Sequence, residues 1–217
     1  MLLVGAGGIN GEIATGLARK GYGTLRICDH DVVELSNLNR QHFFQADLYQ
    51  PKALSLARNA ARQGYLGTGC IGHFTSFDEH SADVLATSAD VAVVGVDNNR
   101  ARRFASVLCR ARRIPVVFAA VNEASDFGTC FVQEADGPCL ACVFPRIASA
   151  ASHQPCRESP AGIDILKMIG GAVLRAVDSL VMAQPRGWNL RELSLSGPTG
   201  DAMYTVQARP DCPLCAK

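Results

Sequence analysis

The 217-residue sequence has almost no net charge. Its 21 Lys and Arg face 20 Asp and Glu, leaving +1 at pH 7. That balance removes the electrostatic case for nucleic acid or an anionic membrane surface as a partner. Long apolar runs are also missing; none approaches the ~18 residues of a membrane-crossing helix. The opening "MLLVGAGG" has no basic segment before its apolar one and runs straight into glycines, unlike a secretory signal. A cytoplasmic location is therefore expected. Repeats and low-complexity tracts are absent. What is present is a chain 48% hydrophobic, enough for a buried core. Nine cysteines cannot all pair, and four fall in two Cys-x-x-Cys pairs. In a reducing compartment that pattern favours metal over disulfides.

Apolar runs alternate with amphipathic ones. "MLLVG", "TLRICD", "CIGHFTSF", "DVAVVGVD" and "PVVFAAV" read as strands. Between them "GEIATGLARKG", "PKALSLARNAARQG", "HSADVLATSA" and "NRARRFASVLCRARR" read as helices, the second with Pro51 at its start and Gly64 at its end. Several strands are apolar throughout, which implies a parallel sheet covered on both faces. Beyond about residue 122 the alternation weakens. "GTCFVQEA" reads as an added antiparallel strand, and 137–162 as a loop-rich segment. A long helix follows over 162–183, then closing strands "LRELSLSG" and "AMYTVQAR".

Three polar motifs punctuate this pattern. In "GAGGING", Gly5 and Gly7 fit the first two positions of a G-x-G-x-x-G turn between strand and helix, where phosphate binds a helix N-terminus. Asn10 stands at the third position. Asp29 lies 22 residues after Gly7, the usual distance for a carboxylate that takes ribose hydroxyls. To this point a dinucleotide-dependent dehydrogenase fits. The continuation argues otherwise: "DHDVVELSNLNRQ" supplies Asp31, Asn37, Asn39, Arg40 and Gln41, and Lys52 opens the next helix. Arg40 and Lys52 can neutralise a triphosphate, where a dinucleotide carries only a pyrophosphate. In "VVGVDNN", Asp97 ends a buried strand, where open α/β sheets bind ligands and a carboxylate can hold Mg²⁺ against phosphates. Asn98 and Asn99 can touch the ligand or cap the following helix.

Together these residues resemble the ThiF/MoeB family of the ubiquitin-activating enzyme superfamily, from "LLVGAGG" to "CPLC". The resemblance implies one Rossmann-like, mostly parallel α/β sheet with helices on both faces, extended by antiparallel strands and a four-cysteine zinc site. Residues 1–122 would form a nucleotide-binding half. Residues 123–217 would form a zinc-bearing, carrier-binding half with a crossover loop at 143–162. The implied activity is ATP-dependent adenylation of the C-terminal carboxylate of a small ubiquitin-like or sulfur-carrier protein ending in glycine, by a homodimer. Gly8 would lie against ATP, Asp29 would take the ribose, Asn37, Arg40, Gln41 and Lys52 would surround the phosphates, and Asp97 would place Mg²⁺. Gly5, Gly7, Asp31 and Asn98 complete the expected nucleotide set. Family members usually carry helices before the first strand, which supply an arginine to the neighbouring subunit; residue 1 here already opens the strand. The alternative is a non-catalytic nucleotide-binding scaffold, or one half of a heterodimeric activating enzyme.

The cysteines divide into three groups. Cys139 and Cys142, with Cys212 and Cys215, suit a tetrahedral Zn²⁺, although 69 residues separate the pairs. A disulfide or redox site is open on spacing alone, and the resemblance implies zinc. Cys28, Cys70, Cys109 and Cys130 fall in strands or helices and read as small buried hydrophobes. Cys156, beside Arg157 in "SHQPCRESPAG", is a candidate acyl acceptor by family resemblance, and Arg157 would favour its thiolate. His153 reads as a solvated loop residue.

Overall fold

A computed structural model describes residues 1–147, 162–197 and 200–215. Its centre is one eight-stranded sheet in the order β3-β2-β1-β4-β5-β6-β7-β8. The strands are β1 (Leu2–Val4), β2 (Thr24–Asp29), β3 (Gly69–Phe74), β4 (Ala92–Val94), β5 (Val116–Val121), β6 (Phe127–Gln133), β7 (Leu190–Ser194) and β8 (Ala202–Tyr204). The first five are parallel to one another. From β5 onward each strand pairs antiparallel with the last. The expected α/β sheet with an antiparallel extension is the sheet that forms.

Alternation along β1 explains the two cores. Leu3 points into the layer formed by α1 (Gly8–Lys20), α2 (Lys52–Ala61) and α6 (Ile163–Val181), packing with Ile13, Leu17, Leu56, Ile169 and Val173. Leu2 and Val4 point the other way, toward α3 (Ala82–Ala86), α4 (Asn99–Ala111) and α5 (Leu140–Val143). Their neighbours there include Leu85, Ala105, Cys109 and Leu140. Neighbouring parallel strands connect through helices, so their carboxyl ends meet at one edge. The strand order reverses at β1, between β2 and β4, and this opens the crevice in which such sheets bind ligands.

Several sequence expectations need correction. α1 begins at Gly8, not Gly11, so most of "GAGGING" is helical. The loop-rich segment holds α5 and a 3-10 turn at Pro145–Ile147. The last strand is only Ala202–Tyr204, because the chain then turns toward the cysteine cluster. Cys28, Cys109 and Cys130 are buried as expected, and burial pushes each thiol up to about 12. Cys70 is only half-buried, because β3 is the sheet's edge. Among the described residues no helix is long and apolar enough to cross a membrane.

Candidate functional site

A cavity of about 950 Å³ opens at the carboxyl edge of the parallel strands. Its floor begins at Gly5, whose φ of +94° suits glycine and whose Cβ, if present, would lie 2.8 Å from Val96 Cγ1. Gly7 and Gly8 continue the lining where α1 starts, so free N–H groups of its first turn face the cavity. Asn10 takes the third glycine's place for a structural reason. It is fully buried, and Nδ2 donates to the Val4 carbonyl at 2.7 Å and the Gly5 carbonyl at 2.8 Å. It thus ties the helix to the strand end.

Asp29 ends β2 and enters the cavity half-buried. One oxygen accepts the Ala6 N–H at 2.7 Å and the other the Asp31 N–H at 2.8 Å. Burial raises its carboxyl above the ordinary range; the two N–H donors oppose that shift. Asp31 holds Lys52 twice. Its carbonyl accepts the Lys52 backbone N–H at 2.9 Å, and its carboxylate meets Nζ at 2.9 Å. Lys52 is therefore fixed at the start of α2 with its side chain only 13% exposed.

The long connection between β2 and α2 carries Arg40 and Gln41. Arg40 Nη1 donates to the Ser36 carbonyl at 2.7 Å and to Asn39 Oδ1 at 2.9 Å, which directs the guanidinium along its own loop. Gln41 Oε1 is buried at the cavity with no donor among the described residues. Asn37 does not reach the cavity. It is buried, and its Oδ1 accepts the Glu34 N–H at 3.0 Å, closing a 3-10 turn over Leu35–Asn37. Its Oδ1 thus serves as a loop brace.

On the other side of the crevice, β4 leads to Asp97. This carboxylate is exposed, lines the cavity and has no hydrogen-bond or ion-pair partner among the described residues. Asn98 lines the same wall but also caps α4, with Oδ1 accepting from Arg100 N at 2.9 Å and Ala101 N at 3.2 Å. Every residue of the expected nucleotide set, apart from Asn37, lines this one cavity.

The four paired cysteines converge elsewhere. Their sulfurs all lie within 4.8 Å of one another, and all four thiols are free. Sγ of Cys139 is 3.9 Å from Cys142 and 3.5 Å from Cys212, and Cys142 is 3.4 Å from Cys215. A tetrahedral zinc with bonds of about 2.3 Å separates its sulfurs by about 3.8 Å, close to the 3.4–3.9 Å seen here, so the donor set suits that ion. The Arg209 N–H points at Cys142 Sγ from 3.4 Å, as suits a thiolate. Cys156 and His153 lie outside the described residues.

The chain matches the ThiF family over residues 1–214. It belongs to that family. The SAMP-activating enzyme E1 of Haloferax volcanii is 30% identical over 224 residues, covering all of this chain and 80% of that protein. The adenylyltransferase and sulfurtransferase MOCS3 of Caenorhabditis briggsae is 29% identical over 219 residues, covering all of this chain and 54% of that protein. The chain thus spans about half the length of this MOCS3 relative. Its fold is also that of E. coli MccB, solved with ATP: TM-score 0.79 at 16% identity, over 99% of this chain and 66% of MccB.

Within this ThiF-family chain, sequence reasoning missed the residues that hold the site in shape. Asp47 is 2% exposed and accepts the Phe44 N–H at 2.8 Å and Asn59 Nδ2 at 2.8 Å, and it pairs with Arg58. Asn59 also donates to the His42 carbonyl at 3.0 Å. This network fastens the Arg40–Gln41 loop to α2. The available signal was a polar Asn at a core-facing position of an amphipathic helix.

Proposed function

We propose that this chain adenylates the C-terminal carboxylate of a small ubiquitin-like or sulfur-carrier protein ending in glycine, using ATP. The observation that carries the reading is the meeting of Asp29, Arg40, Gln41, Lys52 and Asp97 in one cavity beside the N-terminus of α1. The relatives named as adenylyltransferases and as an E1 support it.

In this reading the carrier's carboxylate, ionised near neutral pH, needs no general base. One oxygen attacks the α-phosphorus of ATP. The bond from that phosphorus to the bridging oxygen breaks, an acyl-adenylate forms and pyrophosphate leaves. Charge gathers on phosphoryl oxygens, so positioned cations and N–H groups lower the barrier. Arg40 and Lys52 supply the cations, and the first turn of α1 supplies the N–H groups. Asp29 takes the ribose hydroxyls through lone pairs that its two backbone donors leave free. Gln41 Oε1 awaits a ligand donor. Asp97, unpaired and exposed, is the residue to hold Mg²⁺, which would neutralise phosphate charge.

Cys139, Cys142, Cys212 and Cys215 hold a structural Zn²⁺ in the same reading. Residues 1–122 form the nucleotide-binding half and 123–217 the carrier-binding half. Homodimeric assembly and a cytoplasmic, reducing location belong to the proposal; sedimentation giving only monomer would remove the dimer. Cys156 is assigned as an acceptor of the activated acyl group. A carrier adduct that persists in Cys156→Ala by mass spectrometry would move that role to another sulfur.

Carrier-dependent ATP–pyrophosphate exchange tests the central claim. Asp97→Ala is expected to lower it at least about 100-fold, with the circular-dichroism spectrum unchanged. Exchange absent in the wild type with every carrier tried, while ATP still binds, would turn the reading to a nucleotide-binding scaffold or half of a heterodimer.

A further inference from the structure

The cavity is larger than its nucleotide half. Most residues assigned to ATP come from the β1 and β2 side: the glycine turn, Asp29, Arg40, Gln41 and Lys52, with Asp97 and Asn98 at the end of β4. Arg40 and Lys52 sit with α1 and α2, which pack on one face of the sheet. The lining continues across the carboxyl edge to α4, which packs on the opposite face. There it takes in Arg100, Arg103 and Val107.

These three residues lie at i, i+3 and i+7 of a 13-residue helix, one continuous strip over about 10 Å of its length. Ala105 and Cys109 face inward, and Arg100, Arg103 and Val107 are exposed. The three arginines in this stretch are not equivalent. Arg102 is engaged, its Nε donating to the Val96 carbonyl at 2.8 Å. Arg100 and Arg103 make no side-chain hydrogen bond or ion pair among the described residues. Two unpaired guanidiniums, a turn apart and followed by an apolar side chain, line a cavity whose phosphate-facing cations stand on the other side of the crevice. Of the acids that line the cavity near this wall, Asp97 is assigned to the nucleotide's cation, Glu123 is already engaged, Asp78 accepts the His80 and Ser81 N–H groups, and Glu79 stands on the loop before α3 rather than on α4.

We infer that Arg100 and Arg103 form a selectivity station for the substrate polypeptide, reading an acidic side chain a few residues before its C-terminal carboxylate. This rests on the reading that the cavity admits both ATP and a polypeptide terminus. Arginine presents a planar fork that a carboxylate matches in two bonds. A peptide entering beside α4 would lay its last residues toward Asp97 and the α-phosphate, and an acidic side chain upstream would meet the arginines. Val107 gives the strip an apolar continuation suited to a peptide side chain rather than a phosphate.

The test measures binding and needs no turnover. Two fluorescent decapeptides ending in Gly-Gly are titrated against the full chain with saturating α,β-methylene-ATP and Mg²⁺. One carries two Glu at positions four and six from its end, and the other two Lys. The wild type is expected to bind the acidic peptide about tenfold more tightly at low salt, from two partly exposed charge pairs. Arg100→Glu/Arg103→Glu should reverse the order, with affinity for the ATP analogue changed less than twofold. Both side chains are exposed, so the variant should melt at the wild-type temperature; Arg100→Gln/Arg103→Gln, expected to abolish the preference, serves if it does not. Equal binding of the peptides by the wild type, or no binding of either, overturns the proposal. So does a large loss of analogue affinity in the variants, which would make the arginines phosphate ligands. Missing pyrophosphate exchange with a retained peptide preference would count against adenylation and leave this station standing.

Discussion

The cavity and the cysteine cluster are both polar sites, yet they are held in opposite ways. The cavity stands on two buried cores, and its loops are pinned by protein groups: Asn10 on the strand end, Lys52 on Asp31, Asp47 on Arg58 and Asn59. The cluster has almost no core of its own. Cys139, Ala141, Cys142 and Cys212 are buried together, with Leu214 and Cys215 partly covering them. One site is shaped before any ligand arrives. The other gathers two chain segments around four sulfurs, with little apolar packing to hold them together. The difference teaches where each site is vulnerable: the first to loss of a hydrogen bond, the second, in the proposed reading, to loss of its zinc.

The largest expected effect comes from breaking the cluster. If the cluster holds zinc as proposed, metal binding and folding are coupled there, and Cys212→Ser should lower unfolding free energy by about 4–5 kcal/mol. Metal analysis should give one zinc per wild-type chain, and hydrogen exchange should show residues 202–215 opening in the variant while the cavity loops stay protected. Equal opening of both regions would erase the contrast.

Asp47→Ala sharpens the comparison from the other side. It leaves the Phe44 N–H without its acceptor and Asn59 Nδ2 without one of its two, while the part-exposed Arg58 pair adds little, and should cost about 2–3 kcal/mol. ATP affinity should fall with it, since Arg40 and Gln41 ride on the same loop, while zinc content stays at one. Burial alone would raise the Asp47 carboxyl, but Asn59, the Phe44 N–H and Arg58 outweigh it and hold the pKa below the ordinary value. A depressed carboxyl gives stability that is fully present above the unfolded pKa, about 4, and is lost as pH falls through the folded value. Acid titration of stability should therefore show a step below about pH 4 in the wild type that shrinks in the variant. The smallest effect belongs to Asn10→Ala, which strips the Val4 and Gly5 carbonyls of a donor and should cost about 2 kcal/mol by chemical denaturation.

Most of the fold was legible because it rests on strong periodic signals. Three of the five parallel strands, β1, β4 and β5, are mostly buried, so they read as plain apolar runs. Edge strand β3 was expected over 70–77 and forms over Gly69–Phe74; its exposure, and that of Cys70, depends on its having no neighbour beyond it among the described residues. The start of α1 was misread because glycines normally signal a turn. Here Gly8 is helical, and an added Cβ would approach Leu166, a contact made only after a distant segment packs. α5 was hidden because it is only four residues long and its first N–H group bonds to a side chain, Leu140 N to Gln133 Oε1 at 3.0 Å. Within the site, charged residues in a strand-end loop announced themselves. What periodicity and motif spacing cannot reveal is a polar group turned inward. Asn37 carries the composition of a ligand and the geometry of a brace, and Asp47 and Asn59 carried no motif at all.

Asn10 has one more consequence. A Cβ on Gly95 would sit 2.6 Å from Asn10 Oδ1, so the amide fills the space that a third glycine would leave open. The two positions are therefore interlocked: a larger residue at 95 is tolerable only if 10 shrinks, and a smaller residue at 10 leaves a hole that only 95 can fill. Across relatives, such a pair should change together or not at all, and a search that insists on glycine at the third position would pass over chains that solve the same turn in this way.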